Sequence, residues 1–175
     1  MDIAQWVGVG SFALGLLSFW QTDDRRLKQC MLGFYVVHAL HFILLGSMTS
    51  AFASGLSFLR TALAIRYSGQ YLCWATILVL ALFGGLFATS WIQVFSVIGT
   101  SIGTYAIFQL KGISLRLTLC LGASCWLINN ILMGSVGGTM LESCLIVLNL
   151  TTAYRIHNSK SSSVNKIAND IDTRV

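Results

Sequence analysis

Seven apolar stretches, separated by breaks too short to fold by themselves, leave this chain few ways to exist. They run near 4–20, 29–46, 49–67, 70–88, 91–109, 115–133 and 137–156. A helix needs about 20 apolar residues to cross roughly 30 Å of hydrocarbon. The breaks at Gln21–Lys28, Gly46-Ser47, Ser68-Gly69-Gln70, Thr89-Ser90, Lys111-Gly112 and Gly134–Gly138 hold no further element, so each helix must return beside its neighbour. With 55% hydrophobic and only 10% charged residues, the chain cannot cover a water-facing surface, for which about a quarter charged residues is usual. The expected fold is an all-α membrane protein of seven transmembrane helices. From Asn158 onward the chain turns polar and passes through Ser161-Ser162-Ser163. Residues 158–175 lack the apolar content to fold alone and are expected to be a disordered tail.

Charge placement orients the bundle. Ten of the eleven Lys and Arg residues fall on one face of a seven-span arrangement: Arg25, Arg26, Lys28, Arg66, Lys111, Arg116, Arg155, Lys160, Lys166 and Arg174. The breaks near 47, 90 and 136 hold none. Basic residues concentrate on the cytoplasmic side of membrane proteins, which places the amino terminus outside and the tail in the cytoplasm. The formal net charge of +5 thus reports membrane orientation and not a nucleic-acid surface. The eleventh cation, Arg60, lies in the half of the third helix nearer the basic side, where it can snorkel or pair. No basic n-region or small-residue cleavage site marks a removable signal peptide near Met1. The five cysteines, Cys30, Cys73, Cys120, Cys125 and Cys144, form no C-x-x-C spacing, so they read as free thiols acting as small apolar side chains.

The chain also aligns with itself, without a gap, at an offset of 88. Gly15 then falls on Gly103, Gln21 on Gln109, Leu27 on Leu115, Lys28 on Arg116, and Ile43–Ser47 on Ile131–Ser135. The small-residue step Ser11/Gly15 falls on Gly99/Gly103, where helices can approach closely. Four helices separate equivalent positions, so the copies run in the same direction. The expected plan is 3+1+3: two parallel three-helix-bundle repeats, 1–67 and 91–157, joined by a linker helix at 68–90.

These residues resemble a known family. Gly8–Arg66 and Gly99–Arg155 look closely like the YgjV-type bacterial inner-membrane proteins, through Asp24-Arg25-Arg26, Leu44-Leu45-Gly46 and the run Gly134–Glu142. That resemblance implies a multi-pass protein of the bacterial inner membrane, with a periplasmic amino terminus and a cytoplasmic carboxyl terminus. More remotely, the plan is similar to the SWEET and PQ-loop transporters. Phe19-Trp20-Gln21 and Ile107-Phe108-Gln109 stand where that superfamily has its Pro-Gln pair, and Lys111–Leu115 resembles the loop that follows. Trp126 and Glu142 fall near positions where SWEET proteins carry a substrate-stacking Trp and a substrate-binding Asn. The chain has no proline, so Trp20 and Phe108 replace the hinge residues. Ser54 and Glu142 stand in place of two Asn.

Polar groups within hydrocarbon are costly and normally face the bundle interior or a water-filled cavity. His38, His41, Ser54, Asn129, Asn130 and Glu142 all map to the half away from the basic residues, with Trp126 about midway. Repeat partners pair His38 with Trp126, His41 with Asn129 and Ser54 with Glu142. These seven form the candidate substrate site, with Glu142 as a proton or cation site. The competing reading is that they pair among themselves and hold helices together. No nucleophile motif, phosphate-cradling loop or metal-ligand cluster is present in the sequence, so neither catalysis nor a metal or cofactor is expected. Two functions remain: a transporter of an unidentified small solute, or a membrane scaffold that kept the bundle without a pathway.

Overall fold

The computed structural model describes residues 3–46, 48–67, 69–87, 91–134 and 136–172. They form seven α-helices: α1 (Ile3–Trp20), α2 (Asp24–Leu44), α3 (Met48–Arg66), α4 (Gln70–Phe87), α5 (Val94–Gln109), α6 (Gly112–Leu132) and α7 (Val136–Asp172). A short 3-10 turn, Trp91–Gln93, leads into α5. By length and composition alone, α1, α2 and α6 are each sufficient to cross a membrane.

Burial is inverted relative to a soluble protein. Among the described residues, the largest fully buried side chains are mostly polar: Arg116, Asn149, Thr61, Thr104, Thr152, Ser11 and Ser18, beside Leu27, Ile107, Leu115 and Cys73. Large apolar groups face outward instead, with Leu86 79% and Ile3 71% exposed. Water would reject such a surface, and lipid accepts it. Several exposed aromatics sit near helix ends, with Trp6 and Trp91 toward one end and Trp20, Tyr67, Tyr71 and Tyr154 toward the other. Such girdles mark membrane–water interfaces.

In each group of three, the middle helix packs on both flanking ones: α2 on α1 and α3, and α6 on α5 and α7. The two groups meet through α1 against α7 and α3 against α5, while α4 packs along α5. The packed core gathers Phe19, Leu27, Met31, Ala64, Cys73, Ala106, Ile107, Phe108, Leu115 and Leu119. All of these belong to the ends of the helices that carry the basic residues.

Helix limits follow local chemistry. Helix α2 begins at Asp24, ahead of the apolar run, because Asp23 caps it by accepting the Arg26 N–H at 2.7 Å. It ends where Gly46 takes φ +74, a conformation that costs glycine nothing. Helix α6 ends the same way at Gly134, φ +71. The two caps match closely: Leu45 (φ −81, ψ −4) donates to the His41 carbonyl at 3.1 Å and Gly46 to that of Ile43 at 3.0 Å. Met133 (φ −83, ψ −6) donates to the Asn129 carbonyl at 2.9 Å and Gly134 to that of Ile131 at 3.1 Å. Adding 88 to the limits of α2 gives those of α6, and adding it to the start of α3 gives the start of α7. Ser47 and Ser135, which also align at that offset, and the Thr89-Ser90 break lie outside the described residues.

Residues 158–172 were expected to be disordered, yet α7 continues through them as helix. The polar composition behind that expectation removes tertiary packing. It does not remove backbone hydrogen bonding, and no Gly or Pro occurs in 158–172 to stop the helix.

Helices α5 and α6 cross at Gly99 and Gly122. A methyl group added at Gly99 would lie 2.7 Å from the Gly122 carbonyl oxygen and 2.8 Å from Trp126 Cδ1. The obstacle is backbone, which cannot step aside. Gly99→Leu is therefore expected to force the helices apart at a cost of about 1–3 kcal/mol. Thermal unfolding in detergent should show a clearly lowered midpoint. Gly103→Leu, with open space around its Cβ, serves as the control and should unfold close to the wild type.

Candidate functional site

The basic end is where the first three helices are tied to the last three. A helix leaves its final four carbonyls without intrahelical partners, and in α1 each of these finds one. The Leu17 carbonyl accepts from the Gln21 side chain at 3.2 Å and the Ser18 carbonyl from the Gln21 N–H at 3.3 Å. The other two are served from α7, by the Thr152 hydroxyl to Phe19 at 2.9 Å and the Arg155 guanidinium to Trp20 at 3.1 Å. Arg155 also lies over the Trp20 ring, 4.6 Å from its centroid, a favourable cation–π placement.

Asp24 makes the second tie. Its carboxylate accepts the Gly112 N–H at 2.6 Å and an Arg116 N–H at 3.2 Å. The first bond serves the N-terminus of α6, where a negative charge is favoured by the exposed amides and the helix dipole. Its own N-cap, Lys111, makes no side-chain capping bond. The second pairs with a guanidinium that is fully buried. Arg116 Nε and Nη1 have no partner among the described residues, so Asp24 carries the charge balance of this cation. At the offset of 88, Asp23 and Asp24 correspond to Lys111 and Gly112. Helix α2 is thus capped by its own carboxylate, while α6, lacking both, takes one from α2.

Arg60 adds a third tie. Of snorkelling and pairing, the two arrangements its position allows, Arg60 takes the second. It is 9% exposed and reaches two hydroxyls, Thr104 on α5 at 3.2 Å and Tyr35 on α2 at 3.1 Å. Its Nε has no partner among the described residues.

The opposite end holds the seven residues proposed from sequence, and the structure brings only some of them together. His38 shares a hydrogen bond with Ser11 at 2.8 Å, and His41 donates to the Ala4 carbonyl at 2.8 Å. Both bonds join α2 to α1. The two imidazoles lie 6.3 Å apart between centroids, and His41 fills the space over Gly8, where a Cβ would approach it to 2.7 Å. Trp126 packs against Gly99, and Asn130 against Gly138, where an added Cβ would come within 2.6 Å. Asn129 is 7% exposed, and its Oδ1 has no partner among the described residues. Ser54 is buried on α3. Glu142 is half-buried on α7 and makes no hydrogen bond to His41, Asn129 or Asn130 among the described residues.

Residues 2–160 match the model of the Imp-YgjV family, described as a bacterial inner membrane protein. The chain belongs to this family. It is also similar to the inner membrane protein YgjV of Escherichia coli (strain K12), 32% identical over 150 residues, covering 84% of this chain and 80% of that protein. No solved structure matches. Residence in a bacterial inner membrane fits the inverted burial, and the match ends close to where α7 leaves the apolar part of the chain.

Within the Imp-YgjV chain, the residue that sequence reasoning missed is Asp24. The signal lies in the offset of 88: carboxylates stand at 23 and 24, where α2 begins, and none stands at 111 or 112, where α6 begins.

Proposed function

We propose that the chain is a seven-span transporter of a small solute, built as 3+1+3 and drawn in a state closed at its basic, cytoplasmic end. The observation that carries this reading is where the two groups of helices are joined. Asp24–Arg116, Asp24–Gly112, Thr152–Phe19, Arg155–Trp20 and Arg60–Thr104 all tie the groups together toward the basic end. Ser11–His38 and His41–Ala4, toward the other end, lie within one group. Such ties gathered toward one end fit an alternating-access carrier facing the other way. The equal limits and caps of α2 and α6 support a duplication behind it. So does the contact of Asp24 with Gly112, its own counterpart 88 residues away, as a pseudo-two-fold axis passing between them requires.

In this reading the solute enters from the periplasmic side and meets His38, His41, Ser54, Trp126, Asn129, Asn130 and Glu142. Glu142 begins about 9 Å along α7 from Val136 and supplies the charge. The Asn129 Oδ1, without a partner among the described residues, supports a site with hydrogen-bonding capacity left over.

The test needs no knowledge of the solute. Spin labels at Arg25 and Lys111 report on the basic end, and labels at Leu45 and Met133 report on the other; all four positions are exposed. In lipid nanodiscs, Asp24→Asn should lengthen the 25–111 distance and shorten 45–133 in the same sample. Distances that stay unchanged at both ends would retire alternating access in favour of a static scaffold.

A further inference from the structure

We propose that the furrow between α1 and α7 is a binding site for an anionic phospholipid of the leaflet at the basic end, an acyl chain lying in the furrow and the phosphate on Arg155. The furrow has a volume of about 480 Å³ and is lined by Leu16, Leu17 and Trp20 from α1 and by Cys144, Val147 and Leu148 from α7. One residue joins its apolar and charged parts. Trp20 forms the wall at the basic end and carries the Arg155 guanidinium on its ring and on its carbonyl.

Length and charge fit this ligand. Ser143 marks the far end of the lining, and the twelve residues from Ser143 to Arg155 span about 18 Å of helix. One leaflet of a roughly 30 Å hydrocarbon core is about 15 Å deep. A chain in the furrow therefore brings its headgroup to the level of Arg155. That side chain is exposed, and of its five N–H donors the Trp20 carbonyl takes one. Arginine binds phosphate oxygens through paired donors, and basic sites between membrane helices on the cytoplasmic side recognise anionic headgroups.

The other side of the molecule shows why the furrow is open. Subtracting 88 from Leu148 gives Arg60, and adding 88 to Leu16 gives Thr104; there the two positions are hydrogen-bonded to each other at 3.2 Å. The counterpart of Leu17 is Tyr105, whose ring is 6.2 Å from that of Trp74 on α4. The counterpart of Arg155 is Tyr67. Where α4 covers the surface, the seam is polar and Tyr67 stands in the place of Arg155. Where no described helix covers it, the same positions are apolar and the mouth carries an arginine. This inference does not depend on transport.

Native mass spectrometry of the full-length protein, released from vesicles of equal phosphatidylglycerol and phosphatidylethanolamine with the same acyl chains, tests it. The wild type should retain phosphatidylglycerol several-fold over phosphatidylethanolamine. Arg155→Gln should bring that ratio near one while keeping some retention of both. Val147→Trp, or Leu17→Trp if that variant does not fold, should fill the furrow and reduce retention of both lipids. Excess inorganic phosphate should displace neither. Equal retention of the two lipids by the wild type would overturn the proposal, as would an unchanged ratio in Arg155→Gln. A wild-type dimer that becomes monomeric on filling the furrow would assign it to a second copy of the chain instead.

Discussion

Replacing Asp24 by Asn is expected to cost more stability than any other single change at the basic end, about 3 kcal/mol. Asn keeps the shape and can still accept the Gly112 N–H, so the helix cap survives in part. What disappears is the charge that faces Arg116. That guanidinium is fully buried, with Nε and Nη1 already unpartnered among the described residues. Removing one member of a buried pair typically costs about 3–5 kcal/mol, because the other is left uncompensated. The lower end applies here, since the Asp24 side chain is 23% exposed and water already screens part of the pair.

The asymmetry between the partners sharpens the prediction. Arg116→Leu removes the buried charge and leaves Asp24 on the α6 amide, so it should cost far less, or nothing. The double variant should recover most of what Asp24→Asn loses, with a coupling energy of about 2 kcal/mol. Asp23→Ala, which removes only the local cap of α2, should cost about 1 kcal/mol. Denaturant or thermal unfolding of the four proteins in one detergent gives the comparison. If Asp24→Asn and Asp23→Ala were equally mild, Asp24 would be an ordinary surface carboxylate and the tie between the groups would lie elsewhere.

What the sequence made legible divides along a physical line. Periodicity and hydropathy are local, and they gave the seven helices, with breaks at Gly46 and Gly134 where only a left-handed residue lets the chain turn so tightly. The start of α2 was misplaced to residue 29 because Asp24–Lys28 reads as a charged loop by composition. Those residues are the first turns of the helix, held by Asp23. Bonds across the fold were not legible at all. Asp24 and Arg116 lie 92 residues apart, and nothing in either segment names the other. The hydroxyl partners of Arg60, Tyr35 and Thr104, carry no charge that a search for ion pairs would detect. At the far end, spacing alone puts the polar residues toward the same ends of their helices. Which of them meet depends on helix rotation. The rotation found here turns His38 and His41 toward Ser11 and Ala4 on α1, with no hydrogen bond from either to Glu142 among the described residues.

Orientation is expected to give an all-or-none result. A fluorescent protein fused after Val175 should fold and shine in the cytoplasm, whereas alkaline phosphatase placed before Met1, or inserted in the turn at Gly134, should be active in the periplasm. The reason is the distribution of cations: ten on the ends joined by Asp24, Arg116 and Arg155, and none in the turns at the other ends. Reversing the bundle would require translocating short, strongly basic connections, which membrane insertion resists. The same count predicts robustness. Neutralising Arg25, Arg26 and Lys28 together removes the charges next to the first helix, yet Arg66, Lys111, Arg116, Arg155 and the tail still point the same way. The triple variant should therefore keep the wild-type reporter pattern. Periplasmic activity of a carboxyl-terminal fusion in the wild type would remove the seven-span arrangement itself. The same result in the triple variant alone would show that the first helix, and not the summed charge, sets the orientation.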